Sequence, residues 1–254
     1  MTITMPKSYP SSSARARAAK PAEPGEQYRV HIMLAVNAFA ILLFAYAWLT
    51  GASLSPLTWY ITRSSGLALY LLLWISMVFG LGVTTGLFDR FPGRAIVLLI
   101  HRFSTELSYS VLALHLFALI LDTYVQYTLA DILVPFHADS GDFWIGMGVI
   151  AAWATVLIGV SFSVRAVIGQ RTWVILHMGS FPLYVLALFH GIGSGTDTGT
   201  PAVFYGYLAS LGVVFFLTSY RILRGKERGN ARKAVKPEQM YVRRTVAGDA
   251  RPPY

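Results

Sequence analysis

The sequence predicts an all-α integral membrane protein built as a six-helix bundle. Of its 254 residues, 55% are hydrophobic and only 13% are charged, whereas about 25% are charged in an average soluble domain. Six apolar runs follow one another along the chain, each long enough to cross a hydrocarbon core of about 30 Å. Basic residues cluster at alternate connections between these runs, as they do in cytoplasmic loops. A water-soluble enzyme is therefore not a serious interpretation.

Each segment of the chain has a predicted place in this bundle. Residues 1–29 are polar and basic with no apolar core, so they predict a disordered cytoplasmic arm rather than a cleavable signal peptide. Residues 30–222 hold the transmembrane domain, and residues 223–254 are expected to form a basic cytoplasmic tail. The spans are predicted at 30–50, 64–88, 97–121, 143–164, 172–192 and 202–222.

The distribution of charge predicts the orientation of the bundle. Among the 21 lysines and arginines, Arg63 alone falls on the side opposite to the arm, the tail and the loops after spans two and four. Because positively charged loops stay in the cytoplasm, we expect both termini to be cytoplasmic in a multi-pass protein of the inner (plasma) membrane. The opposite side instead carries five aspartates, Asp122, Asp131, Asp139, Asp142 and Asp197.

Composition also argues against several classes of function. The net charge of +9 fits a tail that lies against anionic lipid, and no recognition motif accompanies it, so nucleic-acid binding is not expected. Without cysteine, the chain has no thiolate-bound iron–sulfur cluster, c-type haem attachment or thiol redox chemistry. The glycines of "GLGVTTG" (80–86) lie inside a span rather than after a strand, so we expect no flavin or nicotinamide site.

Four histidines lie inside the predicted spans, where polar residues are costly and usually functional. His101 and His115 belong to span three, and His177 and His190 belong to span five. Both spans run in the same direction, so the histidines should form two levels about 20 Å apart. Neutral imidazole is a good axial ligand for haem iron. The sequence therefore predicts two stacked b-type haems, one between His101 and His177 and one between His115 and His190. A single zinc site is disfavoured, because the four side chains cannot meet across this distance.

The two histidine spacings do not match. A spacing of fourteen places His101 and His115 on one helix face to within about 40°, whereas a spacing of thirteen separates His177 and His190 by about 140° on an ideal helix. Pro182 lies between the second pair and should distort that helix. Either this distortion or a rotation of one haem relative to the other has to absorb the difference.

Three other residues have candidate roles. Arg63 is predicted to offset the haem propionates at the level of His115 and His190, since arginine can grip a carboxylate with two hydrogen bonds. Glu106 either bonds a haem edge or takes part in proton movement, or it simply faces a polar gap. His137 is either an ordinary loop residue or part of an outer metal-cation site with Asp139, Asp142 and Asp197.

The chain resembles the ferric reductase-like transmembrane domain over residues 30–222. The resemblance rests on His-x13-His in span three and His-x12-His in span five. The stretches "ITRSSGLALYLLLWISMVFGL", "DILVPF" and "RTWVILHMGSFPLYVLALFHGIGSGTDT" support it. That superfamily includes the eukaryotic ferric reductases, the NADPH oxidases and the bacterial haem-binding subunit of the periplasmic methionine sulfoxide reductase. This chain is most similar to the bacterial stand-alone members.

This resemblance implies a cytochrome b subunit of a ferric reductase-like oxidoreductase. It implies that His101, His115, His177 and His190 are the axial ligands of two haem irons. Ferric reductases and oxidases append a cytoplasmic flavin and NADPH module, and residues 223–254 are too few for such a domain. We therefore expect a separate electron donor, a flavoprotein or a quinol, and an extracytoplasmic acceptor such as ferric iron, oxygen or a periplasmic redox protein.

Two alternatives stay open at the level of the sequence. The chain could be a quinol-linked haem subunit that serves a periplasmic reductase. It could instead be a non-redox membrane transporter or assembly protein, in which the histidines are structural.

Overall fold

The computed structural model describes residues 26–51, 56–138 and 143–234, and in these residues all regular structure is helical. The helices are α1 (Glu26–Thr50), α2 (Leu57–Thr85), α3 (Arg94–Leu121), α4 (Leu129–Leu133), α5 (Phe143–Ser163), α6 (Arg165–Ile168), α7 (Gln170–Met178), α8 (Ser180–Ser194) and α9 (Pro201–Ala234). A turn of wider helix, Asp89–Gly93, joins α2 to α3.

Five helical segments in this part of the chain are long and apolar enough to cross a membrane. They are Leu57–Thr85, Asp89–Leu121, Phe143–Ser163, Gln170–Ser194 and Pro201–Glu227. The apolar part of α1 is shorter and covers His31–Ala47. The chain is therefore a multi-pass membrane protein by the length and composition of its helices.

The distribution of side chains between inside and outside is that of a protein solvated by lipid. Large apolar side chains lie on the outside, and Ile175 and Phe215 are 72% and 70% exposed. Between the helices, small hydroxyl residues are buried instead, namely Ser65, Ser104, Ser108, Ser110, Thr155, Ser161 and Ser210. Small residues let helices approach closely in a bilayer, where there is no hydrophobic driving force between them.

Contacts at two depths establish how the central helices run. α2 and α3 are antiparallel neighbours, because His101 lies beside Ser76 while His115 lies beside Thr62. This pair makes the most extensive interface in the described structure, and α5 with α8 makes the next.

The outer helices α1 and α9 pack on this central pair. α1 packs on α3, where the Asn37 amide donates to the Ser110 hydroxyl (2.9 Å). α9 packs on α2, and Arg224 near its basic end donates to the carbonyl of Thr85 at the end of α2 (3.4 Å). The basic part of α9 and the C-terminal end of α2 therefore lie on the same side of the bundle.

Two helices cross the predicted domain boundaries. α1 begins at Glu26, inside the predicted arm, and α9 continues as helix to Ala234 rather than ending at residue 222. Lysine and arginine are good helix formers, so the basic sequence after span six prolongs the last helix. The remainder of the predicted arm (1–25) and tail (235–254) lies outside the described residues.

The fifth span is interrupted, as Pro182 predicts. α7 ends at Met178 and α8 begins at Ser180, with Gly179 between them. Pro182 has no N–H to donate to the carbonyl of Met178, and its ring crowds that carbonyl. The Gly179 N–H bonds the carbonyl of Leu176 (2.9 Å), which tightens the backbone locally. The break falls between the two histidines of this span, and a distortion there is one of the two ways in which the sequence predicts their spacing of thirteen to be absorbed.

Candidate functional site

Two cavities lie between the helices, and each contains one histidine pair. His101 and His177 line a cavity of about 110 Å³, named here the His101 cavity. His115 and His190 line a cavity of about 270 Å³, named the His115 cavity. In each pair α3 supplies the first histidine and the α7–α8 segment supplies the second. The structure thus pairs the four residues as their order along two parallel spans predicts.

The rings of the first pair face each other at a distance that suits a shared metal ion. The centroids of the His101 and His177 rings are 6.1 Å apart and their planes are 86° apart. Two metal–nitrogen bonds of about 2.0–2.1 Å in line, added to the radius of each ring, give a centroid separation of roughly 6 Å. An edge-to-face contact between two free rings has a similar separation. Of this pair, His101 is also held by a hydrogen bond to a backbone carbonyl.

Three of the four imidazoles donate their Nδ1 hydrogen to a main-chain carbonyl of a neighbouring helix. The bonds run from His101 to Ser76 (2.8 Å), from His115 to Thr62 (3.0 Å) and from His190 to Trp144 (2.9 Å). Because a carbonyl only accepts, Nδ1 must carry the hydrogen, and a neutral ring then has its lone pair on Nε2. A carbonyl bond of this kind is how metal-binding histidines are commonly oriented.

A glycine stands four residues after each of these carbonyls. A Cβ atom on Gly80 or Gly66 would lie 3.1 or 3.2 Å from Cε1 of the adjacent imidazole. A Cβ atom on Gly148 would lie only 2.5 Å from the imidazole Nδ1. The absence of a side chain at these positions is what brings each ring close to the helix backbone.

His177 is held differently from the other three. Its ring stacks on Trp173, one turn earlier in α7, with centroids 5.2 Å apart and planes 21° apart. Among the described residues no hydrogen-bond acceptor is found for this imidazole. Its orientation therefore depends on side-chain packing rather than on the backbone.

Arg63 lies at the His115 cavity, the level that the sequence predicts for it. α2 begins at Leu57, so Arg63 sits in the second turn of the helix rather than at the start of the span. Its guanidinium grips Asp197 with two hydrogen bonds, one from Nε to Oδ2 (3.0 Å) and one from Nη2 to Oδ1. It also stacks over Trp59, 4.0 Å from the ring centroid. The sequence does not predict that Arg63 pairs with Asp197.

Two buried hydroxyl groups at the same cavity lack a partner among the described residues. They are Thr62 Oγ1 and Ser194 Oγ, and both residues line the His115 cavity. Buried polar atoms without a hydrogen bond are uncommon in folded proteins. With Arg63 and Asp197 they are among the polar groups that line a mostly apolar cavity.

The structure adds candidate residues that the sequence does not indicate by itself. Arg221 lines the His101 cavity, although the sequence places it only as the first basic residue at the end of span six. The carbonyl and glycine positions on α2 are marked in the sequence by their spacing. Thr62 and Ser76 are fourteen residues apart, as are Gly66 and Gly80, which is the spacing of the histidines on α3.

The remaining candidates have other surroundings. His137 donates to Asp131 (2.8 Å) beside α4. Among the described residues no group of three or more histidine, aspartate or glutamate side chains lies close enough to hold a metal ion. Asp139 and Asp142 lie outside the described residues, so the hypothesis of a cation site in that loop stays open. Glu106 is half-buried on α3.

No family model matches the chain, and no curated protein or solved structure matches it. The family resemblance therefore stays a prediction, and the functional argument rests on the two cavities.

Proposed function

We propose that the chain is a membrane cytochrome b subunit that binds two b-type haems and carries electrons from a cytoplasmic donor to an extracytoplasmic acceptor. The observation that supports this best is the presence of one histidine pair in each of two neighbouring cavities within the helix bundle. In three of the four rings the hydrogen on Nδ1 directs the lone pair of a neutral imidazole to Nε2.

The donor set fits haem better than it fits a bare metal ion. Each cavity offers two imidazoles, whereas structural zinc requires about four protein ligands. Haem iron is already held by the nitrogens of its macrocycle and needs only axial ligands from the protein. A bis-histidine haem in each cavity accounts for the pairing without any further ligand from the chain.

Other residues of the chain suit the charged edge of the haem. One arginine lines each cavity, Arg221 with the first histidine pair and Arg63, which is paired with Asp197, with the second. A buried propionate needs a cation or hydrogen-bond donors to offset its desolvation. In the His115 cavity the hydroxyls of Thr62 and Ser194 would add such donors.

The two cavities are close enough in the bundle to share lining residues. Leu73 and Thr155 line both of them. Tyr70 of the His115 cavity also bonds Tyr184 of the His101 cavity through their hydroxyl groups (3.0 Å). When bound to the histidine pairs, each haem would supply a one-electron ferric/ferrous couple. The packed side chains between the cavities would exclude water from the path and hold the two sites at a constant separation.

The charge distribution supports a direction for this transfer. On the positive-inside rule, the basic end of α9 and the C-terminal end of α2 face the cytoplasm of a cell whose inner membrane holds the protein. The His101 cavity, which contains Arg221, then lies towards the donor. The donor would be a separate flavoprotein or quinol, and a basic surface suits an acidic partner protein.

The test is a visible spectrum and a pyridine haemochrome assay on the purified chain. We expect a reduced b-type α band and two haems per chain. His101→Ala and His177→Ala should each remove one haem, and His115→Ala and His190→Ala should each remove the other. His31→Ala, on α1 and in the lining of neither cavity, is the control and should retain two haems.

The assay separates the competing functions. A chain without the α band would exclude both the ferric reductase-like and the quinol-linked interpretations, and would leave a transporter or assembly protein with structural histidines. A single haem in the wild type would contradict the two-level arrangement.

A further inference from the structure

The same three-part arrangement occurs at three separate places in the bundle. In each, an imidazole Nδ1 bonds the carbonyl of a residue on an adjacent helix, and the residue four positions later on that helix is glycine. The carbonyl–glycine pairs are Ser76 with Gly80, Thr62 with Gly66, and Trp144 with Gly148. Two lie on α2 and face α3, and the third lies on α5 and faces α8.

The spacing of four has a physical basis in the helix. The carbonyl of residue i accepts the N–H of residue i+4, so its oxygen lies beside the side chain of that residue. A carbonyl oxygen has a second lone pair that can accept another hydrogen bond. A residue without Cβ at i+4 leaves the room that an imidazole needs to reach this oxygen.

From this repeated geometry we infer that Gly66, Gly80 and Gly148 are positioning residues for the haem ligands. They act through the histidines: each glycine admits one imidazole to a backbone carbonyl, and that carbonyl sets the rotation and the tautomer of the ring. The inference rests on the proposed function for its cofactor. The orientation of the rings is set by the polypeptide, through the hydrogen bonds to its backbone carbonyls, and does not require the cofactor.

The hydrogen bond also changes the ligand electronically. A carbonyl that accepts from Nδ1–H makes the imidazole a stronger donor to the metal. A more basic axial ligand stabilises the ferric state, because that state carries the greater positive charge. Loss of the bond should therefore raise the reduction potential of the haem that the histidine serves.

The distances predict an order of severity for alanine at the three positions. At Gly148 the new Cβ would lie 2.5 Å from the imidazole, which neither group can accommodate without moving. At Gly80 and Gly66 the nearest ring atom would be 3.1 and 3.2 Å away, so a displacement of a few tenths of an ångström suffices. We expect Gly148→Ala to be the most damaging, and Gly80→Ala and Gly66→Ala to be milder.

The experiment compares these variants with Gly206→Ala and Gly212→Ala as matched controls. Both control glycines lie inside α9 with nothing within 4 Å of a new Cβ. Haem content and a spectroelectrochemical redox titration are measured on each purified chain. Substitution of groups that orient metal ligands typically costs 10–100-fold in affinity, and we expect losses in this range for Gly148→Ala.

The identity of the affected haem is the decisive result. Gly80→Ala should weaken the binding, or raise the reduction potential, of one haem only, namely the haem that His101→Ala removes. Gly66→Ala and Gly148→Ala should both affect the other haem, and the two controls should affect neither. A general loss of stability would not divide the variants between the two haems in this way. If the wild type binds two haems and the three variants keep both potentials and full haem content, the positioning role is wrong while the proposed function stands.

A second measurement tests the inference without haem. Solid-state ¹⁵N NMR of the histidine-labelled chain in lipid, prepared without haem, reports which ring nitrogen carries the hydrogen. We expect the Nδ1–H tautomer for His101, His115 and His190, and its loss at the single adjacent histidine in each glycine variant. An Nε2–H tautomer at these residues in the wild type would overturn the inference, whether or not the chain binds haem.

Discussion

At the scale of single residues, the Arg63–Asp197 pair places two opposite charges beside the His115 cavity. The guanidinium and the carboxylate are joined by two hydrogen bonds, and both residues line the cavity. A neutral pair contributes little net field, whereas either partner alone would leave a full charge beside the proposed haem. The two residues should therefore have opposite effects on the same cofactor.

Arg63→Ala should lower the potential of the haem held by His115 and His190. A nearby positive charge favours the reduced, more negative state, and removal of Arg63 also exposes the charge of Asp197. Asp197→Asn should raise the same potential. At partly screened distances we expect changes on the order of tens of millivolts. Arg63→Ala should also weaken retention of this haem.

A redox titration that resolves both haems measures these changes. The haem at His101 and His177 should move little in either variant, because it lies about 20 Å away. The double variant should fall between the two single ones. Full haem content with both midpoints unmoved in Arg63→Ala would disprove the assignment of Arg63 to the His115 cavity haem.

At the scale of a helix, α4 is held by a cap that depends on pH. The Thr128 hydroxyl accepts from the Asp131 N–H, and Asp131 in turn accepts from the Thr128 N–H (2.8 Å). His137 donates to the same carboxylate (2.8 Å). The His137 bond, then the Thr128 side-chain and backbone bonds, lower the pKa of Asp131 from 3.8 to about 2. Because the folded pKa is depressed, this stabilisation is present above pH 4 and is lost as the pH falls towards 2.

A ¹³C titration of the Asp131 carboxyl group tests this account. The wild-type midpoint should lie near 2, and His137→Ala should shift it upward towards the ordinary value because the largest cause of the depression is removed. The cap bonds of α4 should break over the same pH interval. Asp89, which is not bonded to His137, is an internal control. An unchanged Asp131 midpoint in His137→Ala would show that the histidine does not stabilise the carboxylate.

Helix bounds show which local features the sequence specifies. Pro182 predicts the break in the fifth span because proline removes a donor and crowds a carbonyl by its covalent structure. The start of α2 is less clear from hydropathy. The first seven residues of the helix, 57–63, precede the predicted span because the segment "TWYITRSS" contains polar residues. Hydropathy locates the apolar part of a helix, whereas hydrogen bonding and caps determine where it ends.

At the scale of the whole molecule, the sequence predicts the class, the parallel course of spans three and five and the pairing of their histidines. These follow from hydropathy, from the parity of the spans and from the rise per residue. It does not predict the partner of Arg63, because Asp197 lies in a loop whose position depends on the packing of α8 and α9. Nor does it predict that Arg221 lines the His101 cavity, which depends on how α9 docks against α2.

For a chain that binds haem but has no nucleotide or flavin motif in its sequence, we predict that reduction depends on a separate partner. Purified chain loaded with haem should stay oxidised when mixed with NADPH alone, and should become reduced when a flavin reductase or a quinol is added. Absorbance of the reduced α band after each addition measures this, with dithionite as the control for full reduction. Rapid reduction by NADPH without any added protein would contradict the prediction.

The carbonyl–glycine arrangement has a consequence for mutational tolerance. The acceptor for each imidazole is main chain, which every amino acid provides, so the carbonyl bond itself survives replacement of the side chains of Thr62 and Ser76. The Ser76 hydroxyl lies 3.1 Å from the same Nδ1 of His101, and replacement of Ser76 removes only this additional contact. The constraint falls on the glycine four positions later, because a side chain there would crowd the imidazole ring. In a saturation library selected for haem content, position 148 should accept glycine almost alone, and positions 66 and 80 should accept little beyond glycine and alanine. Positions 62 and 76 should accept a wider range of helix-compatible residues, because their main-chain carbonyls are kept in every variant.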